Sequence, residues 1–331
     1  MSSSHNFFTT GTYTSLLGVV ENCNSFKYDE DDNTLYRFIA PTAATSGRKK
    51  DSLIGLVRSC DVAVLEQANT LVQVPPLDID KDQRTIKFSR HYADAASRSE
   101  VMRKVLGQLR VQQALPTLAK WRDEQYPIYD ADGLHASIER AASYTFGIRT
   151  YGVHINGYVR CNVDEAPLGL KVWIARRSST KQTWPGYLDQ MVAGGISTEL
   201  GMMETVIKEC EEEAGIGPEL ASKAKPVGTI QYFTQSEYGL QPETQYVYDL
   251  ELLPNVDPRP NDGESEGFYL LALDEIKNKL LNGEFKPNCA VCMIDFMIRH
   301  GYISAEDEPH YLAIIDNLHC SLPMPGIHFL K

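Results

Sequence analysis

One amphipathic helical segment, set inside a series of strand-like runs, constrains the fold of this chain more than any other feature. Runs rich in branched and aromatic residues, which predict strands, cover 151–160, 169–178, 227–235 and 244–253. The helical pattern over Met202–Ala214 lies between the second and third run, and two more helical patterns follow at 290–299 and 305–318. Strands that enclose one helix and precede closing helices predict a mixed sheet with helices packed on it.

The enclosed helix carries a cluster of carboxylates away from its apolar face. Glu209, Glu212 and Glu213 follow one another at three- and four-residue spacing, so their side chains are neighbours. Like charges at this spacing repel, and the C-terminal end of a helix disfavours anions. A hard divalent cation such as Mg²⁺ would turn that repulsion into binding, because it prefers oxygen ligands. A solvated acidic face is the alternative, and it would be preferred for an isolated run of glutamates.

The residues around the cluster distinguish these interpretations. The segment AGGISTELGMMETVIKECEEEAGI resembles the Nudix box. The box pattern is Gly, five residues, Glu, seven residues, Arg-Glu, an apolar residue, any residue, Glu-Glu, any residue, Gly and an apolar residue. The matching positions are Gly194, Glu209, Cys210, Glu212, Glu213, Gly215 and Ile216.

Two positions depart from the box. Leu200 stands at the first glutamate and Lys208 at the arginine. In the family that arginine orients the box carboxylates, whereas a lysine pairs only as a point charge and cannot form the bidentate fork. We expect Gly195, Lys208 and Gly215 to act as structural residues of the box.

Longer blocks narrow the resemblance to one Nudix subgroup. These blocks are TYGVHINGYVR, VWIARRSSTKQTWPGYLDQMVAGG, KECEEEA, PNDGESEGF and FKPNCAVCMIDFMIRHGYI. They are similar to the Nudix part of fungal thiamine pyrophosphokinase fusions and to plant relatives, whose N-terminal domain has a poorly understood role. The resemblance implies an α/β fold: a Nudix α/β/α sandwich with a mixed sheet, preceded by a smaller mixed α/β domain. We expect the N-terminal domain over 1–148, as a cap or part of the substrate pocket, and the Nudix domain with its C-terminal helices over 149–331.

The resemblance also implies a reaction, the Mg²⁺-dependent hydrolysis of an organic diphosphate to a monophosphate and phosphate, with Mn²⁺ as the alternative ion. In the thiamine-linked relatives the suggested substrates are thiamine diphosphate and its damaged oxo and oxy analogues. We expect Glu209, Glu212, Glu213 and the Gly194 backbone to hold the metal.

A carboxylate must then accept the proton of the attacking water. The candidates are Glu209 and two residues of the Pro- and Gly-rich loop at 254–267, Glu264 and Glu266. For the two loop residues, a solvated surface carboxylate is an equally good interpretation.

Three residues near a predicted strand and turn are candidates for binding substrate. Trp184, in the turn TWPGYLD, is suited to stacking on an aminopyrimidine ring, with a buried structural tryptophan as the alternative. Arg176 and Arg177 alternate across a strand, so at most one of them is expected to face the diphosphate.

Charge and hydropathy exclude several classes of partner. The formal net charge of −12 gives the chain no overall electrostatic footprint for nucleic acid. No apolar run approaches the roughly 18 residues of a membrane span, and the N-terminus lacks the pattern of a signal peptide. We therefore expect a cytoplasmic protein with a small-molecule partner, and nothing in the sequence supports an oligomer.

Three rival functions remain. The turn KQTWPGYLD resembles a segment of isopentenyl-diphosphate isomerase, but the LDQMVAGG that follows has neither the cysteine nor the histidines of that chemistry. A Nudix hydrolase acting on another nucleoside- or sugar-linked diphosphate is the second rival. The third is a non-catalytic ligand-binding module; Leu200 and Lys208 favour it, and the retained carboxylates oppose it.

Overall fold

The computed structural model describes residues 11–41 and 51–327. Residues 1–10, part of the N-terminus that lacks a signal-peptide pattern, lie outside the described residues. The described helices are α1 Leu16–Cys23, α2 Val62–Asn69, α3 Ala95–Val111, α4 Ser143–Phe146, α5 Met202–Ala214, α6 Pro218–Ala221, α7 Leu273–Leu281, α8 Pro287–Arg299 and α9 Tyr311–Leu318. The described strands are β1 Leu35–Ala40, β2 Ser52–Arg58, β3 Leu77–Asp80, β4 Thr85–Phe88, β5 Gln125–Asp130, β6 Gly133–Glu139, β7 Thr150–Arg160, β8 Leu170–Arg177, β9 Leu188–Gln190, β10 Val192–Gly195, β11 Lys225–Ser236, β12 Gly239–Glu251 and β13 Ser265–Ala272.

A mixed sheet forms the centre of the C-terminal half. Its main path runs β11-β12-β7-β8-β13, with β10 paired to β7 and β9 paired to β8. β12 and β7 are parallel, whereas the other pairs are antiparallel. β7 is buried along nearly its whole length, as expected of a strand covered on both faces. The mixed sheet predicted from the sequence is confirmed.

Helices cover both faces of this sheet. On one face α7, α8 and α9 build an apolar core with residues of β8 and β11, and α1 joins them through its buried side chains. On the other face α5 packs against apolar residues of β7 and β10. This arrangement is the predicted α/β/α sandwich. The described residues at the start of the chain thus contribute to the C-terminal core, although they precede the β1–β6 region.

Two helix starts are explained by prolines. α8 begins at Pro287, where a missing N–H costs nothing, so it starts three residues before the predicted 290–299 pattern. α9 begins at Tyr311 rather than at 305, because Pro309 disfavours helical backbone at the residue before it.

The region between α1 and β7 is a smaller mixed α/β unit, as predicted. Its four-stranded sheet has the order β2-β1-β4-β3, and a separate hairpin is formed by β5 and β6. α2 and α3 supply apolar side chains to the core that this sheet and the hairpin share. α3 begins at a capping box in which the Asp94 carboxylate accepts from the Ser97 N–H at 2.7 Å.

The hairpin lies directly against the loop between β10 and α5. The backbone N–H and hydroxyl of Thr198 both donate to the carbonyl of Gln125, at 2.9 and 3.0 Å. The Thr198 hydroxyl also lies 3.0 Å from Ser137 Oγ. The N-terminal unit is therefore hydrogen-bonded to the segment that leads into the glutamate-bearing helix.

Across the described ranges, none of the helices combines the length and apolar character that crossing a membrane requires.

Candidate functional site

α5 holds the glutamate cluster in a defined orientation. Its apolar residues Val206, Cys210 and Ala214 are buried against the central sheet, which fixes the rotation of the helix. The helix ends at Gly215, whose φ of 64° lies in the left-handed region that favours glycine. The Ile216 N–H then donates to the Cys210 carbonyl at 3.0 Å and closes the last turn.

Two of the three glutamates are placed against β10. A Cβ on Gly194 would lie 2.3 Å from Cδ of Glu209, so only glycine allows this carboxylate to rest on the strand. Glu213 Oε2 accepts a hydrogen bond from the Ala193 N–H at 3.0 Å. Glu212 points away from the strand, and its side chain is 52% exposed. The strand thus positions Glu209 and Glu213, while Glu212 lies on the exposed side and pairs with Lys208.

Lys208 connects the cluster as a point charge. Its Nζ lies 3.0 Å from Glu209 Oε1 and 2.9 Å from Glu212 Oε2. Partial burial alone would lower the pKa of Lys208, but the bonds to Glu212 and Glu209 raise it above its usual value. The lysine therefore stays charged and bridges the carboxylate of the next residue, Glu209, and that of Glu212, one helical turn further on.

Burial dominates the electrostatics of the two strand-facing glutamates. Desolvation raises the pKa of Glu209, with Lys208 acting in the opposite direction. Desolvation also raises the pKa of Glu213 well above its ordinary value, and Asp189, Glu209 and Glu264 add to the increase. A nearby positive charge would relieve this cost, because it favours the ionised carboxylates.

The donor set fits a hard divalent cation. The Glu209, Glu212 and Glu213 carboxylates and the Gly194 backbone offer only oxygen, the ligand that Mg²⁺ and Mn²⁺ accept. The Glu209 carboxylate packs directly on Gly194, in space that a Cβ at residue 194 would fill. Within 11–41 and 51–327, no three His, Cys, Asp or Glu side chains are already grouped tightly enough for metal binding. The oxygens would therefore have to converge when the ion binds.

The two loop glutamates differ in their surroundings. Glu264 Oε2 forms a 2.6 Å ion pair with Lys181, and this pair outweighs burial to lower the pKa of the carboxyl. Glu264 also contributes to the electrostatic field at Glu213. Glu266 is exposed and accepts from the Ser179 N–H at 2.8 Å, which lowers its pKa. The structure thus brings Glu264, but not Glu266, towards the cluster.

The two arginines of β8 hold the turn that carries Trp184. Arg176 Nη1 donates to the Gly186 carbonyl at 2.8 Å. Arg177 donates to the Trp184 and Thr183 carbonyls, and its Nη1 lies 2.6 Å from Asp189 Oδ2. These bonds engage both guanidinium groups in holding the turn, so contact of either arginine with the substrate stays a prediction.

Trp184 occupies an unusual backbone position beside a cavity. Its φ of 53° is positive, and its ring packs edge-on against Tyr187 at 5.1 Å between centroids. The same residue lines a cavity of about 460 Å³ between the N-terminal unit and the central sheet. Substrate stacking by this side chain remains a prediction.

The cavity reaches the glycine turn of the box and combines aromatic and charged walls. Its aromatic lining consists of Tyr126, Tyr144, Tyr151, Trp184, Tyr232 and Tyr238. Its charged lining consists of Lys120, Arg122, Arg140, Lys286, Glu237 and Glu243. Tyr151, Trp184 and Lys286 lie in blocks that resemble the Nudix subgroup, whereas the other aromatic and charged lining residues come from separate elements and belong to none of those blocks.

Lys286 lies in a buried charge network at one side of this cavity. Burial alone would raise the pKa of Asp189, but Lys286 and Arg177 together hold it well below its usual range. Cys289 also donates to Asp189 Oδ1 at 2.6 Å. Burial opposes the charge of Lys286, yet Asp189 keeps the pKa of the lysine raised. The cavity wall therefore includes a permanently cationic lysine.

Comparison with known proteins adds family information to this geometry. A family model described as NUDIX domain matches residues 158–289, and one described as Domain of unknown function (DUF4743) matches residues 45–150. The uncharacterized protein YJR142W of Saccharomyces cerevisiae is 36% identical over 287 residues, 83% of this chain and 82% of that protein.

A plant protein and a solved structure extend the comparison. Nudix hydrolase 20, chloroplastic, of Arabidopsis thaliana is 39% identical over 188 residues, which are 56% of this chain and 49% of that protein. This chain thus spans about half the length of the plant relative. The crystal structure of DR0079 from Deinococcus radiodurans has 18% sequence identity and a TM-score of 0.39, and the match covers 52% of this chain and 98% of that one.

Proposed function

Because the chain belongs to the Nudix superfamily, we propose that it is a metal-dependent diphosphatase that cleaves an organic diphosphate to a monophosphate and phosphate. One observation carries the proposal: the 460 Å³ cavity is lined by Gly194, the residue on which Glu209 rests. A substrate in the cavity would therefore meet the carboxylates of α5 at one end. The volume lies within the range of about 300–1,000 Å³ that is usual for small-molecule sites.

The box residues would bind the metal and hold the carboxylates in position. A divalent cation held by Glu209, Glu212, Glu213 and the Gly194 carbonyl would neutralise diphosphate charge and lower the pKa of a bound water. Gly194 and the Ala193 N–H fix the positions of Glu209 and Glu213 before substrate arrives. Lys208 limits the repulsion between Glu209 and Glu212.

The proton of the attacking water needs a carboxylate acceptor. Glu209 is one candidate, because its raised pKa brings it closer to the value expected of a general base. Glu264 is the other candidate, because its charge acts on Glu213 and its carboxylate is held by the ion pair with Lys181. Glu266 is bound to the Ser179 backbone in an exposed position, so we place it outside the mechanism.

The aromatic walls support a heteroaromatic organic group, and thiamine diphosphate or its oxo and oxy analogues are the substrates we propose. Flat rings such as Trp184 and Tyr126 bind heteroaromatic ligands by stacking.

Product analysis tests the proposal. Purified protein would be incubated with Mg²⁺, Mn²⁺ or EDTA and with thiamine diphosphate, its oxo and oxy analogues, ADP-ribose, nucleoside di- and triphosphates and isopentenyl diphosphate. We expect metal-dependent release of phosphate from the thiamine compounds. Preference for another compound would keep the reaction and change the substrate. Binding without turnover of any compound would instead favour the ligand-binding module.

Variants of one helix provide matched controls. Glu213→Gln is expected to abolish turnover, whereas Glu211→Gln, an exposed position on the same helix, should leave it unchanged. Glu264→Gln then tests the other candidate base, whereas Glu209→Gln would also remove a proposed metal ligand. Activity of the Glu213→Gln variant equal to that of the native protein would remove the box carboxylates from the mechanism.

A further inference from the structure

The charge of the cavity is opposite to the charge of the protein. The chain has a formal net charge of −12, yet four basic and only two acidic residues line the cavity. Three of the basic residues, Lys120, Arg122 and Arg140, lie in the region matched by a model described only as a domain of unknown function. The fourth, Lys286, lies in the part matched by the NUDIX domain.

Arg140 is held close to the box by neighbours on the hairpin. Its guanidinium carbon lies 5.3 Å from the centre of the Tyr126 ring, and its Nη1 donates to Glu124 Oε2 at 2.8 Å. The Tyr126 hydroxyl in turn touches the box turn, since a Cβ on Gly195 would lie 1.9 Å from it. The Arg140 side chain is 43% exposed, so it faces open space rather than packed protein.

The hairpin also lies within electrostatic range of the glutamate cluster. Glu124, the partner of Arg140, contributes to the raised pKa of Glu209. Arg122 contributes to the lowered pKa of Glu264. Arg122 and Arg140 line the same cavity as Gly194, on which Glu209 rests, and among the described residues neither arginine forms an ion pair with Glu209 or Glu213.

Two unsatisfied polar atoms occur in the cavity wall, one from each side. Thr117 is 5% exposed and Gln245 is 4% exposed, and both line the cavity. In the described structure, Thr117 Oγ1 and Gln245 Oε1 have no hydrogen-bond partner. The Gln245 amide nitrogen donates to the Tyr232 hydroxyl at 2.9 Å, which fixes its orientation. Both oxygens are almost inaccessible, so they are unsatisfied polar atoms behind the cavity surface rather than open binding positions.

We propose that the N-terminal domain is the phosphate-binding wall of the active site, with the Arg140 and Arg122 guanidinium groups binding the oxygens of the substrate diphosphate. Guanidinium suits this task because its planar fork matches two phosphate oxygens at once. The inference rests on the proposed function for the identity of the ligand, and it places recognition outside the Nudix box.

The test separates anion binding from turnover. Binding of inorganic diphosphate is measured by calorimetry in EDTA for the full-length protein and for Arg140→Gln, Arg122→Gln and Arg140→Lys. We expect each Gln variant to weaken binding by about 10-fold or more, since each loses charge-assisted hydrogen bonds to the diphosphate. Arg140→Lys should recover part of the loss. In turnover assays KM should rise by a similar factor, with a smaller effect on kcat.

Two controls exclude a simple folding defect. Arg103→Gln removes an exposed arginine of the same domain that pairs with Glu100, and it should leave binding unchanged. Circular dichroism and urea unfolding of Arg140→Gln and Arg122→Gln show whether both variants remain folded.

The outcomes distinguish this inference from the proposed function. Diphosphate binding that is absent in the native protein, or unchanged in both Gln variants, would overturn the inference. Arginine-dependent binding without turnover of any substrate would support the anion site and contradict the proposed hydrolysis.

Discussion

The contact between Gly194 and Glu209 gives a prediction whose magnitude follows from the structure. A Cβ on residue 194 would lie 2.3 Å from Cδ and 2.4 Å from Cγ of Glu209, whereas ordinary contacts begin at 3.4 Å. In Gly194→Ala the Glu209 carboxylate must therefore retreat from β10 by about 1 Å. The helix itself is held in place, because Val206 and Cys210 are buried against the central sheet.

The expected consequence is a large loss of activity with a moderate loss of stability. A displacement of about 1 Å in a reacting group can cost roughly 100-fold in rate, so kcat/KM should fall by that order. Overpacking costs about 1–3 kcal/mol in the free energy of unfolding. The metal concentration required for half-maximal activity should also rise, because Glu209 is a predicted ligand.

The assay combines phosphate release over a Mg²⁺ series with urea unfolding in EDTA. Gly217→Ala is the control, because a Cβ there meets nothing within 4 Å and its φ of −66° suits any residue. If Gly194→Ala showed native turnover and native metal dependence, the seat of Glu209 on the glycine turn would have no role in catalysis, and the assignment of this turn would be refuted.

Three further predictions concern the cavity and the core. Burial lowers the pKa of His154 from 6.5 to about 4, so the folded protein binds fewer protons than the unfolded chain in that interval. The free energy of unfolding should fall by roughly 3 kcal/mol as the pH drops from 6.5 to 4, and urea unfolding of His154→Gln should lack this component. Arg299 pairs with the buried Asp249 at 2.7 Å, so Arg299→Gln should cost about 3–5 kcal/mol in urea unfolding, and native stability of the variant would contradict a buried ion pair. Trp184→Ala should raise KM for a heteroaromatic diphosphate by about 10-fold, and Trp184→Phe should recover most of it; an unchanged KM would confine Trp184 to its turn.

Local sequence patterns determined the elements of the site. The apolar spacing and the closing glycine at 215 predicted α5 with the bounds that the structure shows, because helix periodicity and a left-handed cap are local properties. The same periodicity predicted that Glu209, Glu212 and Glu213 are neighbours. Strand-like runs likewise predicted the mixed sheet, because a half-buried or buried strand requires a particular residue pattern.

Tertiary contacts decided what surrounds that helix. Strand alternation predicted that at most one of Arg176 and Arg177 faces the diphosphate. In the structure both guanidinium groups bond to the Trp184 turn, a contact that alternation does not encode. The membership of α1 in the C-terminal core was equally invisible, because its partners lie more than two hundred residues away along the chain.

The cavity shows the division most clearly. The side formed by the Nudix box could be predicted from the sequence, since Gly194 and Glu209 belong to one short motif. Its other side, with Tyr126 and Arg140, exists only because the β5–β6 hairpin bonds to the loop before α5 through Thr198 and Gln125. The sequence by itself therefore determined the reactive helix and the sheet that supports it, whereas long-range packing between the two units decided which side chains face a substrate.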